Sequence, residues 1–145
     1  MTQVRVHFKL EQFEGYPPET SESVWTQPSN DGLEYFLDNI PFFITEATLG
    51  DRISVTLDED GRRWYLRTTR ASTNSLIRVV VFQEQHLQTV PATLRGLGCD
   101  VEILASRHLL AVNIPATIEL GSVQAHLATA EAEGILDYEE PILRQ

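Results

Sequence analysis

The histidines and the cysteine are the residues whose side chains most readily bind a metal or act as nucleophiles. The chain has four histidines: His7, His86, His108 and His126. No two of them stand three or four residues apart, which is the spacing that places two ligands on one helix face. A metal site would need distant positions to converge. We therefore predict no metal site and no bound cofactor.

Cys99, the single cysteine, follows a predicted helix and precedes Asp100 and Glu102. A nucleophilic cysteine needs a thiol pKa that is lowered by a helix N-terminus or a nearby cation. A helix C-terminus and two acidic neighbours raise the pKa instead, so we predict a buried structural cysteine. The sequence also contains no G-x-S-x-G motif, no P-loop and no G-x-G-x-x-G after a strand. We therefore predict that the protein is not an enzyme.

The acidic residues are the largest chemical asymmetry of the chain. It carries 21 acidic and 11 basic side chains, for a formal net charge of −10. This charge repels phosphate backbones, so direct nucleic-acid binding is not expected, and it attracts basic partners. Five carboxylates cluster near the C-terminus: Glu131, Glu133, Asp137, Glu139 and Glu140. Either they bind a basic protein, or they form a solvated helix end and tail.

An arginine-rich stretch interrupts the acidic chain. Residues 51–80 hold six arginines and four acids, for a local charge of +2. Among these arginines, Arg67, Arg70 and Arg78 could bind a phosphate or carboxylate by bidentate hydrogen bonds. The alternative is that the arginines balance the acidic 58–60 turn on a solvated sheet face.

Two proline-containing segments combine aromatic and polar residues in constrained loops. The first is Gly15-Tyr-Pro-Pro18 and the second is Asp38-Asn-Ile-Pro-Phe-Phe43. Binding residues are often carried on such loops, so Tyr16, Asp38 and Asn39 are candidates for the rim of a groove. The alternative is a structural corner in which the two phenylalanines fill the end of a barrel.

The first half, residues 1–72, has the pattern of short strands joined by turns. Val4, Val6, Phe8 and Leu10 alternate with polar residues, as in a half-buried strand. Further strands are expected over 23–27, 33–37, 53–57 and 64–68, with turn signals at 28–32 and 58–61. No helical period is present. The pattern predicts a small antiparallel β-barrel or a strongly curved sheet.

The second half, residues 73–145, has a different pattern. Leu76–Phe82 is nearly all apolar and predicts a central strand that is buried on both faces. Helical spacing marks 84–97 and 119–133, although Pro91 indicates that the first helix starts near Val90 or is kinked there. With three further strands, the order β-α-β-β-α-β predicts a ferredoxin-like subdomain. The whole chain is thus expected to be an α+β protein.

The 145-residue chain also lacks the signals of a membrane or secreted protein. Its longest apolar runs, Val79–Phe82 and Ile40–Ile44, are far shorter than the roughly 18 residues of a membrane span. The first residues contain no long apolar stretch of the kind found in a secretory signal. We therefore expect a cytoplasmic protein with no membrane partner.

Several motifs, taken together in order and spacing, carry a resemblance to a known family. They are Val6-His-Phe8, Gly15-Tyr-Pro-Pro18, Asp38-Asn-Ile-Pro-Phe-Phe43, Gly50-Asp51, Asp58-Glu-Asp-Gly61 and Asp137-Tyr-Glu-Glu140. From about residue 3 to 141 the chain resembles the bacterial domain-of-unknown-function family numbered 4265. The resemblance implies a bacterial protein and assigns no activity.

Three functional hypotheses follow. By analogy with small acidic bacterial immunity proteins, the first is a module that binds and blocks a basic toxin. The second is a regulatory domain that senses a small anionic ligand through its arginines. The third is an enzyme whose site converges from distant residues, and it has the least support because no activated nucleophile or metal set is visible.

Overall fold

The computed structural model describes residues 2–145, and the chain divides into two units, Met1–Ser72 and Thr73–Gln145. The first unit contains a β-barrel, and the second contains a sheet and both α-helices. The protein is therefore a mixed α+β protein. Within the described residues, no helix has the length and hydropathy that a membrane crossing requires.

Five strands form the first unit: β1 Val4–Lys9, β2 Ser21–Pro28, β3 Tyr35–Leu37, β4 Arg52–Leu57 and β5 Arg63–Arg70. The second unit contains four strands and two α-helices: β6 Ser75–Val81, α1 His86–Gly96, β7 Asp100–Leu104, β8 Leu109–Ile114, α2 Leu120–Ala132 and β9 Leu136–Ile142. A short 3-10 turn, Ala105–Arg107, connects β7 to β8.

The barrel closes as a meander in which each strand pairs with the next. A meander with an odd number of strands begins and ends in the same direction, so β1 and β5 pair in parallel, with His7 opposite Trp64. Register shifts in the β4–β5 pair fall between Arg52 and Ile53 and between Ser54 and Val55. Such irregularities bend strands and increase their twist, which favours closure.

Alternate residues of the barrel strands point inward, as the period-two pattern predicts. The inner side chains form one core: Val6, Phe8, Leu10, Val24, Tyr35, Leu37, Ile44, Ala47 and Ile53. Phe43 packs against this core, and Phe8 stacks on Tyr65 with ring centroids 4.4 Å apart. The segment after β3 is therefore part of the barrel's packing.

The sheet of the second unit has the order β7-β8-β6-β9, with every neighbouring pair antiparallel. Along the chain, its elements follow one another as β-α-β-β-α-β. Ile77, Val79 and Val81 of β6 share one core with Leu94 of α1 and Leu127 of α2. Both helices therefore cover the same face of the sheet, and β9 and β7 are its two edges.

The structure corrects the predicted end of the first strand of this half and one of the two alternatives given for its first helix. Phe82 lies beyond the end of β6 and is 54 % exposed, and Val80 within β6 is 39 % exposed. The apolar run therefore does not remain buried up to its last residue. Helix α1 begins at His86 rather than near Val90 and contains Pro91. A proline near the first turns of a helix removes one backbone hydrogen bond, and the burial of Leu87, Val90 and Leu94 offsets that loss.

Candidate functional site

The end of α2 and the strand that follows it bring the predicted carboxylates to one part of the second unit. Gly134 has a φ of +76° and ends the helix; its N–H donates to the carbonyl of Glu131 at 3.0 Å. The chain then turns directly into β9. We call Glu131, Glu133, Asp137, Glu139 and Glu140 the C-terminal acidic surface, and all five are exposed.

Glu131 and Asp137 meet across this turn. A hydrogen bond to the Asp137 carboxylate is the main cause that raises the pKa of Glu131, followed by desolvation and by repulsion from the Asp137 charge. The pKa of Tyr138 is raised by burial first and then by the charges of Glu131, Glu140 and Asp137. Both shifts indicate that negative charge is concentrated here.

The other carboxylates of the surface differ in how far the protein neutralises them. Glu139 forms an ion pair with Arg78 at 3.7 Å, and Glu140 accepts a hydrogen bond of 2.6 Å from Gln124 Nε2. Within residues 2–145, Glu131, Glu133 and Asp137 have no ion pair with a basic side chain. Glu140 also has no ion pair, so within the described residues four of the five carboxylates keep an unpaired negative charge.

The acidic surface lies at a sheet edge. Strand β9 pairs with β6 on one side only. The opposite edge, β7, also carries two exposed acids, Asp100 and Glu102. Charged residues on edge strands prevent unwanted pairing with other chains. Edge protection therefore explains why both edges are acidic, but it does not require the carboxylate contact between α2 and β9.

The three candidate residues of the constrained loops lie in the first unit. Asn39 Oδ1 accepts a hydrogen bond of 2.6 Å from the backbone N–H of Trp25, so this side chain fixes the loop to β2. Asp38 accepts from the amide side chains of Gln3 and Gln27. Tyr16 is 56 % exposed and meets the edge of Phe43 with ring centroids 6.2 Å apart. Asn39 is therefore structural, and Tyr16 and Asp38 remain exposed.

The residue that organises the 42–44 loop, Glu22, was not among the sequence-based candidates. Its carboxylate accepts hydrogen bonds from the backbone N–H groups of Phe42, Phe43 and Ile44 at 2.7, 2.9 and 3.1 Å. Glu22 lies opposite Phe8 in the β1–β2 ladder. The sequence did carry a signal for this role, because Glu22 is an acidic residue at an inward-facing position of a strand and therefore needs hydrogen-bond donors inside the barrel.

The three candidate arginines are divided between the two units. Arg67 and Arg70 are exposed on β5 of the barrel. Arg78 lies on β6 of the second unit, is only 4 % exposed and pairs with Glu139. Arg78 is therefore a buried side chain on a central strand, and its role as an anion ligand stays a prediction.

Cys99 is buried, as predicted. Burial first, and the charge of Asp100 second, raise the pKa of its thiol to about 11. The thiolate that a nucleophile or metal ligand requires is disfavoured at this position. Among the described residues, no three His, Cys, Asp or Glu side chains are grouped in a way that would hold a metal ion.

Comparisons with known proteins agree with this architecture. A family model described as a domain of unknown function, DUF4265, matches residues 22–138. No curated protein matches the chain significantly. A solved structure, described as a hypothetical protein from Neisseria gonorrhoeae, superposes with a TM-score of 0.81 at 20 % identity and covers 100 % of this chain and 98 % of its own. At that identity the likeness shows the fold alone.

Proposed function

The chain belongs to the DUF4265 family, whose function is unknown, and we propose that it is a non-catalytic module that binds a basic protein partner. The observation that carries this proposal is the contact between Glu131 and Asp137, two carboxylates that no basic side chain of residues 2–145 neutralises. A cationic partner would relieve their repulsion. The formal net charge of −10 would add long-range attraction and raise the association rate.

The most concrete form of this function is an immunity protein that blocks a basic bacterial toxin in the cytoplasm. A toxin that acts on nucleic acid or nucleotides needs a cationic cleft for phosphate groups. Carboxylates at the C-terminal acidic surface would occupy that cleft in place of phosphates. The element order and sheet order of the second unit support a ferredoxin-like arrangement that presents β9 at an edge. A partner could approach this edge without unfolding the sheet.

Two properties of the candidate chemical groups support a role without catalysis. The Cys99 thiol is buried with a raised pKa. The carboxylates of the acidic surface are exposed, so solvent strongly screens each of them. General acid–base chemistry benefits from a desolvated pair in a cleft, and this surface is open.

The test is a tagged pull-down from the source bacterium, including the products of adjacent genes, followed by association kinetics with the captured protein. Replacing Glu131, Glu133 and Asp137 together with lysine should slow association about tenfold or more and flatten its dependence on salt. The matched control replaces three exposed acids of the first unit, Glu46, Glu59 and Asp60, and changes the net charge equally. Equal association rates for the two triple variants would show that the acidic surface is not part of the interface.

A further inference from the structure

A surface cavity of about 390 Å³ lies beside the β2–β3 turn of the barrel and is distinct in its residues from the acidic surface. The side chains that matter for its chemistry are Gln27, Asn30, Asp31, Glu34, Phe36 and Arg52. Its volume lies in the range of small-molecule sites. Its lining carries charges of both signs.

Several hydrogen bonds hold the turn that forms one wall of this cavity. The backbone N–H of Ser29 donates to the carbonyl of Glu34 at 2.8 Å, and that of Gly32 donates to the carbonyl of Ser29 at 3.0 Å. Asp31 Oδ1 accepts from Ser29 Oγ at 2.6 Å and from the N–H of Leu33 at 3.0 Å. The hydrogen bonds of the turn therefore fix the position of the Asp31 carboxylate.

Arg52 supplies the positive charge and has unused hydrogen-bonding capacity. Its guanidinium lies over the ring of Phe36, 4.7 Å from the centroid. Among residues 2–145 its one ion pair joins Nη1 to Glu34 Oε1 at 3.6 Å, which is beyond hydrogen-bond range. Its Nε–H is buried without an acceptor among residues 2–145. A guanidinium has five donors in a planar fork that matches a carboxylate, so this cavity favours a ligand with that group.

Asp31 adds a negative charge to the cavity, which favours a positively charged group on the ligand. The hydrogen bond from Ser29, followed by that from the N–H of Leu33, lowers the pKa of its carboxyl group, and the charge of Arg52 adds a smaller effect. Asp31 therefore stays ionised. A purely anionic ligand on Arg52 would be repelled by Asp31 and Glu34, whereas a purely cationic ligand would leave the donors of Arg52 unused. A ligand that carries both charges satisfies both groups.

We propose that this cavity binds a free α-amino acid as its zwitterion. The ligand's α-carboxylate accepts hydrogen bonds from the Arg52 guanidinium, and its α-ammonium donates to the Asp31 carboxylate. The face of Phe36 holds the guanidinium plane in place, and the amide side chains of Gln27 and Asn30 line the remainder. This binding goes beyond the proposed partner binding and does not depend on it.

The first experiment titrates the isotopically labelled full chain with L-alanine and then with each of the other common amino acids, recording backbone and arginine Nε–H signals by NMR. We expect saturable shifts over residues 29–34 and at Arg52, with a dissociation constant on the order of 1 mM, typical of a small ligand. N-acetyl-L-alanine lacks the ammonium and L-alaninamide lacks the carboxylate, so each should bind at least about tenfold more weakly. Equal binding by either derivative, or no saturable shift with any amino acid, would overturn the proposal.

The second experiment uses variants. Arg52→Gln and Asp31→Asn should each weaken binding at least about tenfold, and the asparagine retains an oxygen that accepts the turn's hydrogen bonds. The matched controls are Arg67→Gln and Asp60→Asn, which remove exposed charges outside the cavity. Arg52→Lys keeps the charge and loses the planar fork, so it should bind with intermediate affinity if Arg52→Gln does not fold. Unchanged affinity in a folded Arg52 variant would contradict the assignment.

Discussion

Several carboxylates of the first unit hold its loops, whereas those of the C-terminal acidic surface in the second unit are exposed. In the barrel, carboxylates accept hydrogen bonds from backbone N–H groups: Glu22 from residues 42–44, Asp51 from Thr48 and Ser72, and Asp58 from Asp60 and Arg62. In the second unit, the carboxylates of the acidic surface are exposed, and two of them contact each other. The net charge of −10 therefore includes carboxylates that hold the barrel loops and carboxylates that are exposed on the acidic surface.

The source of stability differs in the same way. Barrel loops that contain little regular structure need polar side chains to satisfy their backbone donors. Both units bury an apolar core, and the core of the second unit lies between two helices and one face of its sheet. Its acids are not needed for that core and can be placed on the surface. Three predictions test this contrast.

The largest effect is expected in the core of the second unit. Leu127 is fully buried on the inner face of α2. Its replacement by alanine removes buried methyl groups and leaves a cavity, so Leu127→Ala should lower the free energy of unfolding by about 2–5 kcal/mol. Both helices belong to this unit, so chemical unfolding followed by helical circular dichroism reports it directly.

Phe82→Ala is the matched control for that measurement. Phe82 is larger than Leu127, yet it is 54 % exposed and lies outside β6. We expect a cost below about 1 kcal/mol, as for most exposed positions. If Phe82→Ala cost as much as Leu127→Ala, the apolar core would not be confined to the inner face of the sheet.

The contrast between these residues shows what the sequence predicts and where it fails. Alternation along the first strand correctly predicts the buried side chains Val6, Phe8 and Leu10, because side-chain direction follows a period of two. A continuous apolar run contains no such period. The run from Leu76 to Phe82 therefore did not indicate where the strand ends. Pairing with the neighbouring strands β8 and β9 determines that β6 ends at Val81.

The same limit applies to the candidate site. The five carboxylates of the acidic surface are close in the sequence, and the short turn after α2 keeps them together. Their partners are distant along the chain: Arg78 forms an ion pair with Glu139, and Gln124, 16 positions away, donates a hydrogen bond to Glu140. The cavity at Arg52 was missed for a similar reason, since β3 and β4 bring Phe36 and Arg52 together.

A smaller effect is expected from the carboxylate that holds the barrel loop. Glu22→Ala leaves the three N–H groups of residues 42–44 without their acceptor. The loss of these charge-assisted hydrogen bonds should lower the free energy of unfolding by roughly 2–3 kcal/mol. Both tryptophans, Trp25 and Trp64, belong to the first unit, so their fluorescence during unfolding reports this change.

The control for this prediction is Glu46→Ala, because Glu46 is exposed and its carboxylate accepts a hydrogen bond from its neighbour Thr45. It should leave the fluorescence transition almost unchanged. If Glu22→Ala behaved like Glu46→Ala, the barrel carboxylates would not be structural. The contrast between the two units would then be lost.

The smallest effect is expected at Glu131, and its sign is opposite to that at Glu22. The folded state raises the pKa of Glu131 above its ordinary value of 4.5, so folding disfavours the ionised form. This penalty is absent below the ordinary pKa, develops as the pH rises through the raised pKa, and is complete at neutral pH. Glu131→Gln removes the penalty and keeps a hydrogen-bond donor for Asp137.

Glu131→Gln should therefore raise the melting temperature at neutral pH, and the gain should vanish as the pH falls below about 4. Glu102→Gln, which removes an exposed acid from the other sheet edge, is the control and should show no such gain. A loss of stability in Glu131→Gln at neutral pH would mean that the Glu131–Asp137 contact stabilises the fold as the barrel carboxylates do. A gain would mean that the second unit tolerates an unneutralised charge, and that charge is what a basic partner would neutralise on binding.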